Sequence, residues 1–263
     1  MRLIDTHCHL DFKAYDGLRE DMLREAAEVG VVYVIDPATD LDSSRAAVEL
    51  AAAFPGVWAA VGIHPNDTAA YQPEMIDEIK RLALHDRVVA VGEIGLDYYR
   101  TYSPPTTQRA AFEAQLALAA ELGKPAIIHN READQDTLEM LAAWTAALPD
   151  TLKDRPGVLH SFSSSWEVAE RALELGFYLG FTGPVTFKKA DDLRAIAARV
   201  PVDRILVETD GPFLTPQPHR GQFPNHPAYV RYVAEQIAAA RGLPADDFAA
   251  QTTANAIRLF GLR

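Results

Sequence analysis

Short apolar runs rich in Val, Ile and Leu alternate with longer segments of helical period along the whole chain. Eight runs read as strands, at residues 3–6, 31–36, 57–62, 88–93, 126–129, 158–160, 177–181 and 205–208. A strand that is continuously apolar is buried on both faces, which marks a parallel sheet. Helical period fills the gaps. Its clearest stretch is 107–122, where Ala111, Phe112, Gln115, Leu116, Leu118, Ala119 and Leu122 recur at helical spacings and Gly123 supplies the stop. Further helices are expected over 18–29, 43–54, 74–84, 133–148, 167–175 and 191–199, with two more, 227–240 and 246–260, after the last strand. Eight strands alternating with helices predict an α/β protein, a single (β/α)8 TIM-type barrel. A doubly wound open sheet has the same periodicity, so the polar residues have to separate the two.

Those residues gather at the C-terminal ends of the strands. His7 and His9 follow the first, His64 the third, Glu93 closes the fourth, His129 the fifth, His160 the sixth, and Glu208 and Asp210 the eighth. Five of the eight histidines therefore stand at one end of the sheet. Only a closed barrel brings strands one, four, five, six and eight to one mouth. His7 and His9 are two apart and face the same way on a strand, as do Glu208 and Asp210. Cys8 then faces the other side, as a small buried hydrophobe. Imidazoles and carboxylates crowded into an apolar mouth need compensation, and a bound metal supplies it. Mixed His and carboxylate ligands suit Zn, Mn or Fe better than an all-oxygen shell would. His85, His219 and His226 fall outside this pattern.

Composition narrows the class. The chain has 263 residues, 48% of them hydrophobic and 24% charged, which excludes collagen-like and disordered chains. Barrels of roughly 250 residues form one domain, so one domain over 1–263 is expected. A single cysteine and a start without an apolar leader point to a reducing, cytoplasmic setting. No apolar run approaches the roughly 20 residues of a membrane span. The net charge of −12 argues against non-specific nucleic-acid binding and suggests a soluble monomer. It does not exclude a nuclease, because bound divalent cations invert the field of an acidic site.

The motifs His7-Cys8-His9, Gly62-Ile63-His64-Pro65, Gly92-Glu93-Ile94-Gly95-Leu96-Asp97-Tyr98, Ile127-Ile128-His129-Asn130-Arg131-Glu132-Ala133, His160-Ser161-Phe162-Ser163 and Glu208-Thr209-Asp210-Gly211-Pro212 stand in this order over nearly the whole chain. Together they resemble the TatD family of metal-dependent hydrolases, within the amidohydrolase superfamily. The resemblance implies two divalent ions (Mg, Mn or Zn). His7, His9 and Asp210 would hold one, His129 and His160 the other, and Glu93 would bridge them. It also implies DNase activity on single strands, cutting from the 3′ end, with a role in DNA repair. Gly211 and Ser164 depart from the family's usual residues, and 219–227 lacks its usual acidic residue.

Within that reading Asp210 also accepts the proton of the attacking water, and Glu208 orients a metal-bound water. His64 donates to a phosphate oxygen or the leaving group, or else caps the turn at Pro65. Arg131, Lys188, Lys189 and Arg220 near the rim are candidates for phosphate contact. Tyr98, Tyr99, Tyr102, Phe162 and Phe187 either stack bases or pack the loops. Two other functions compete. One is ester or amide hydrolysis on the same barrel. The other is metal binding without turnover, which ranks last because all six ligands are present.

Overall fold

The apolar runs pair in chain order. A computed structural model describes all residues, Met1–Arg263. Its strands are β1 (Leu3–Asp5), β2 (Val31–Pro37), β3 (Val57–Val61), β4 (Val88–Asp97), β5 (Ala126–Arg131), β6 (Gly157–Leu159), β7 (Tyr178–Phe181) and β8 (Ile205–Val207). They form one eight-stranded sheet, each strand parallel to the next, in the order β1 to β8. The helices are α1 (Arg19–Glu28), α2 (Leu41–Ala53), α3 (Met75–Ala83), α4 (Pro105–Leu122), α5 (Asp134–Ala146), α6 (Asp150–Lys153), α7 (Trp166–Glu174), α8 (Asp191–Arg199), α9 (Val230–Arg241) and α10 (Ala245–Phe260). The fold is the (β/α)8 barrel that the periodicity predicts.

Individual bonds, not a ladder, close the seam between β8 and β1. The N–H of Thr6 donates to Val207 O (3.3 Å), that of Asp210 to His7 O (2.8 Å) and that of His9 to Gly211 O (2.7 Å). The doubly wound alternative is thereby excluded.

Alternation along the strands builds two apolar layers. The larger one packs strand residues such as Val34, Val61, Val91, Leu179 and Phe181 against the helices. The smaller fills the lumen with one or two residues from every strand, among them Ile4, Ile35, Trp58, Ile127, Val158, Tyr178 and Leu206. Ala256, Leu259 and Phe260 of α10 join this inner cluster, so the last helix plugs the barrel opposite the chemistry. Truncating one such buried Leu or Ile would cost about 2–5 kcal/mol.

Local signals explain most boundaries. Asp40 and Ser43 form a capping box at the start of α2, Asp40 Oδ1 accepting from Ser43 N–H (2.7 Å) and Ser43 Oγ from Asp40 N–H (2.8 Å). The α4 helix starts at Pro105, two residues earlier than the apolar pattern shows, because proline suits the first helical position. It ends at Gly123, as expected. Pro227–Tyr229 forms a separate 3-10 turn ahead of α9 rather than its first turn. The β4 strand runs four residues past Glu93, to Asp97. No helix is long and apolar enough to cross a membrane.

Candidate metal centre

The lumen's period-two pattern carries straight into the site. His129, His160 and Glu208 stand two residues beyond the lumen-lining Ile127, Val158 and Leu206, so they face inward at the next level up. The rim backbone stays bonded past the strand ends, His160 N–H to Ile128 O and Glu208 N–H to Phe181 O, both at 3.0 Å. Gly180 makes room for Glu208, since a Cβ there would lie 2.2 Å from Glu208 Oε1. Glu93 sits where β4 shifts register against β5, between Val91 and Ile94. Irregularities of this kind re-aim side chains beside active sites.

His7, His9 and Asp210 are positioned by the seam. Fully buried Asp5 accepts from the N–H of His7 (3.3 Å), the N–H of Thr209 (2.9 Å) and the Thr209 hydroxyl (2.6 Å), which ties the two edges together. Asp210 has φ 56°, a sparsely populated value for a residue with a side chain. That turn swings its carboxylate toward His7 and His9. Glu208 stays against His160, with Oε2 3.9 Å from His160 Nδ1. The expectation that Glu208 and Asp210 share a strand face is therefore corrected: β8 ends at Val207, before alternation can place them. Cys8 is buried with its Sγ 3.7 Å from Tyr15 Oη, on the helix-facing side as expected.

The cluster centres on Glu93, which is 2% exposed. Its Oε2 lies 3.2 Å from His7 Nε2 and 3.6 Å from His9 Nε2. Its Oε1 lies 2.7 Å from His129 Nδ1, 2.7 Å from His160 Nε2 and 3.6 Å from His64 Nε2. Asp210 Oδ1 is 3.7 Å from both His7 Nε2 and His9 Nε2. The His7 ring stacks on that of His160, centroids 3.9 Å apart.

Hydrogen bonds fix which ring nitrogens are free. His9 Nδ1 lies 2.8 Å from Pro37 O, which can only accept, so the proton sits on Nδ1 and Nε2 keeps its lone pair. His64 is the reverse. Its Nδ1 accepts from Asn66 N–H (3.1 Å), so Nε2 carries the proton into the site. That same bond caps the 3-10 turn Pro65–Ala70, so both roles expected of His64 are compatible. His129 is gripped on both sides, with Nε2 3.3 Å from Asp97 Oδ2. Burial alone would lower its pKa, but hydrogen bonds to the Asp97 and Glu93 carboxylates raise it to about 9. Burial and the charge of His129 push His64 down to about 3. Burial opposes ionisation of Glu93, yet His160, His64 and His7 around it hold its pKa well below the usual range.

The donor set fits a divalent cation. No lysine or arginine pairs with Glu93, Asp97, Glu208 or Asp210; each of their ion-pair partners is a histidine. The buried Nδ1 atoms of His7 and His160 have no hydrogen-bond partner. Three groups, His7–His160–Asp210, His7–His9–Glu93 and His64–Glu93–His129, each bring their donor atoms within 4.8 Å of one another. Imidazole nitrogens mixed with carboxylate oxygens suit borderline divalent metals.

The rim residues fall into two sets. Arg131, Lys188, Lys189 and Arg220 are exposed and stand outside the histidine–carboxylate cluster. The Arg131 guanidinium lies 3.8 Å over the Tyr99 ring, and that of Arg220 lies 4.0 Å over Phe187. Tyr99 and Tyr102 are exposed, whereas Phe162 is buried and Tyr98 donates to Asp136 (2.6 Å), so the latter two pack the loops. His219 stacks on Tyr229 and His226 caps the turn before α9. Sequence reasoning passed over Asp97, Asp5 and Asn66 as site residues. For Asp97 a signal exists: it lies four residues beyond Glu93, on the same face of a strand that continues that far.

A parallel barrel whose C-terminal mouth gathers imidazoles and carboxylates has the architecture of a metal-dependent hydrolase. The family model described as TatD related DNase matches residues 4–261. The chain is 41% identical over 258 residues to the uncharacterized metal-dependent hydrolase YabD of Bacillus subtilis, covering 98% of each protein. It is 34% identical over 264 residues to a protein of Klebsiella pneumoniae named 3′-5′ ssDNA/RNA exonuclease TatD, covering 99% of this chain and 98% of that one. The crystal structure of YJJV, a TatD homolog from Escherichia coli, superposes with a TM-score of 0.92 at 33% identity, covering 100% of this chain and 99% of that one. The chain belongs to the TatD-related DNase family and is a metal-dependent hydrolase.

Proposed function

We propose that this protein is a divalent-metal-dependent phosphodiesterase that removes nucleotides from the 3′ end of single-stranded DNA. The observation that carries the reading is the division of Glu93 between two sets of imidazoles, Oε2 toward His7 and His9 and Oε1 toward His129 and His160. One carboxylate serving two sets of nitrogen donors suits a bridge between two cations. In this reading His7, His9 and Asp210 hold one ion, His129 and His160 the other, with Mg, Mn or Zn as candidates. The Klebsiella relative's name supports nucleic acid as the substrate.

Bound there, the cations would supply an activated water and neutralise charge on the phosphate. The protein's own groups do the rest. Asp210 Oδ1, at the open side of the cluster, accepts the proton of the attacking water. His64 Nε2–H donates a hydrogen bond to a phosphate oxygen or to the leaving 3′ oxygen. Glu208, its Oε2 3.9 Å from His160 Nδ1, would orient a metal-bound water beside that ring. Arg131, Lys188 and Arg220 meet backbone phosphates at the rim.

The test is cleavage of a 5′-labelled single-stranded oligonucleotide by wild type and Glu93→Ala, with Mg²⁺, Mn²⁺ or EDTA. A metal-dependent ladder shortened from the 3′ end, absent in the variant, supports the proposal. Internal fragments would keep the chemistry and change the specificity. No cleavage by metal-loaded wild type would refute the nuclease reading in favour of a carbonyl-directed hydrolase.

A further inference from the structure

A run of aromatic rings leads out of the metal centre toward solvent. The His9 ring stacks on Phe12, centroids 4.8 Å apart at 27°. Phe12 meets Phe213 edge-on at 5.9 Å and 83°. Phe213 then leans on Phe223 at 6.4 Å and 43°. The last two are conspicuously uncovered, Phe213 46% exposed and Phe223 66%, and Leu214 beside them is exposed as well.

The loop that carries Phe213 is firmly tied, so its exposure is not slackness. Asn225 is fully buried, and its Nδ2 donates to Phe213 O (2.6 Å) and Thr209 O (2.9 Å). The Asn225 N–H donates to Pro212 O (2.9 Å), and Tyr15 Oη–H donates to Asn225 O (2.8 Å). Leu214 is held at φ 54°, a strained conformation for a branched side chain. Gly183 accommodates it, since a Cβ there would lie 1.8 Å from Leu214 O. Strain of this kind persists where a tied loop enforces it, and it concentrates at working sites.

From this geometry we propose that Phe213 and Phe223, continued inward by Phe12, form a stacking platform for the unpaired bases next to the scissile bond. The proposal rests on the nuclease reading above. Two features favour nucleobases as the occupant. The platform is continuous with a ring of the metal centre, so whatever lies on it leads to the chemistry. Cationic residues lie on the adjoining segment: Gln217 N–H bonds Thr186 Oγ1 (2.8 Å), which ties this loop to the one bearing Lys188, Lys189 and the Phe187 ring under Arg220. Aromatic faces beside cationic groups are the means of holding single strands without sequence preference. Paired bases hide their faces in the helix stack, so the platform selects single-stranded ends.

The test uses the metal-loaded full-length enzyme and two strands. One is an ordinary single-stranded oligonucleotide. The other carries tetrahydrofuran residues in place of its last three 3′ nucleosides, so it has phosphates but no terminal bases. The variant Phe213→Ala/Phe223→Ala is expected to raise KM on the ordinary strand about tenfold. It should leave kcat, and KM on the base-free strand, near wild type. Phe213→Tyr/Phe223→Tyr, which keeps the ring faces, should restore KM. An unchanged KM on the ordinary strand, or an equal loss on both strands, overturns the proposal. A shift in sedimentation with KM unaltered would assign these rings to protein contact and overturn it too. Failure of wild type to cleave either strand is the separate result that removes the nuclease reading, and the proposal with it.

Discussion

Asp36, at the end of β2, is buried completely beside the Asp11 carboxyl and the backbone N–H groups of Leu10 and Asp11, with no hydrogen bond of good geometry to any of them. Burial, reinforced by the neighbouring charge of Asp11, holds its pKa well above the usual 3.8. Asp11 is itself pushed up to about 6, chiefly by burial. A carboxyl whose folded pKa exceeds its unfolded one withdraws stability as pH rises. Above 3.8 the unfolded chain releases this proton while the folded chain still holds it, and the loss is complete once the raised pKa is passed. Asp36→Asn has nearly the shape of the protonated acid and cannot ionise, so it removes the penalty. Each tenfold by which burial weakens the acid costs about 1.4 kcal/mol at a pH above its raised pKa. For a chain of this size each kcal/mol moves Tm by about 2–4 °C, so even a tenfold weakening makes the variant melt about 3–6 °C higher at pH 8. The gain should shrink toward pH 5, where less of the wild-type penalty has accrued. Melting curves of both proteins at the two pH values decide the matter. A variant that melts lower than wild type at pH 8, or by a margin independent of pH, would show that Asp36 is satisfied by contacts of its own.

Two further changes follow from the site. Asp97→Asn removes the carboxylate that holds His129 Nε2 at 3.3 Å, and loss of such a partner weakens metal binding about 10–100-fold. Calorimetric titration with Mn²⁺ should show one weakened class of site, and unaltered affinity would mean that Asp97 is dispensable to the ring's placement. Gly180→Ala drives a methyl group to within 2.2 Å of Glu208 Oε1. Overpacking of that kind costs about 1–3 kcal/mol, and both Tm and metal-dependent hydrolysis should fall; wild-type values for both would refute the close packing.

Much of this was readable from residue order. Ile127 with His129, and Val158 with His160, place an apolar residue and a ligand-type residue two apart at a strand end. That pattern puts both on one face whatever the rest of the chain does. The barrel followed from eight buried runs in alternation. Legibility failed where side-chain direction is set by contacts distant in sequence. Asp210 reaches His7 and His9 because backbone bonds across the seam turn it, and no local periodicity encodes that. Asp97 escapes notice because the expected strand ends at Glu93, whereas β4 continues to Asp97 through Gly95. Phe213 and Phe223 sit in a proline-rich loop without period, and only Asn225, buried from twelve residues away in the chain, reveals how rigidly Phe213 is presented.

The seam has a consequence for how the protein comes into being. His7 and His9 leave the ribosome about 200 residues ahead of Asp210, yet all three must meet across the junction of β8 with β1. In the proposed site no partly made chain can assemble the full set of ligands. Under that reading hydrolytic power appears only once the ring of strands has closed, and a nascent or half-folded copy has none.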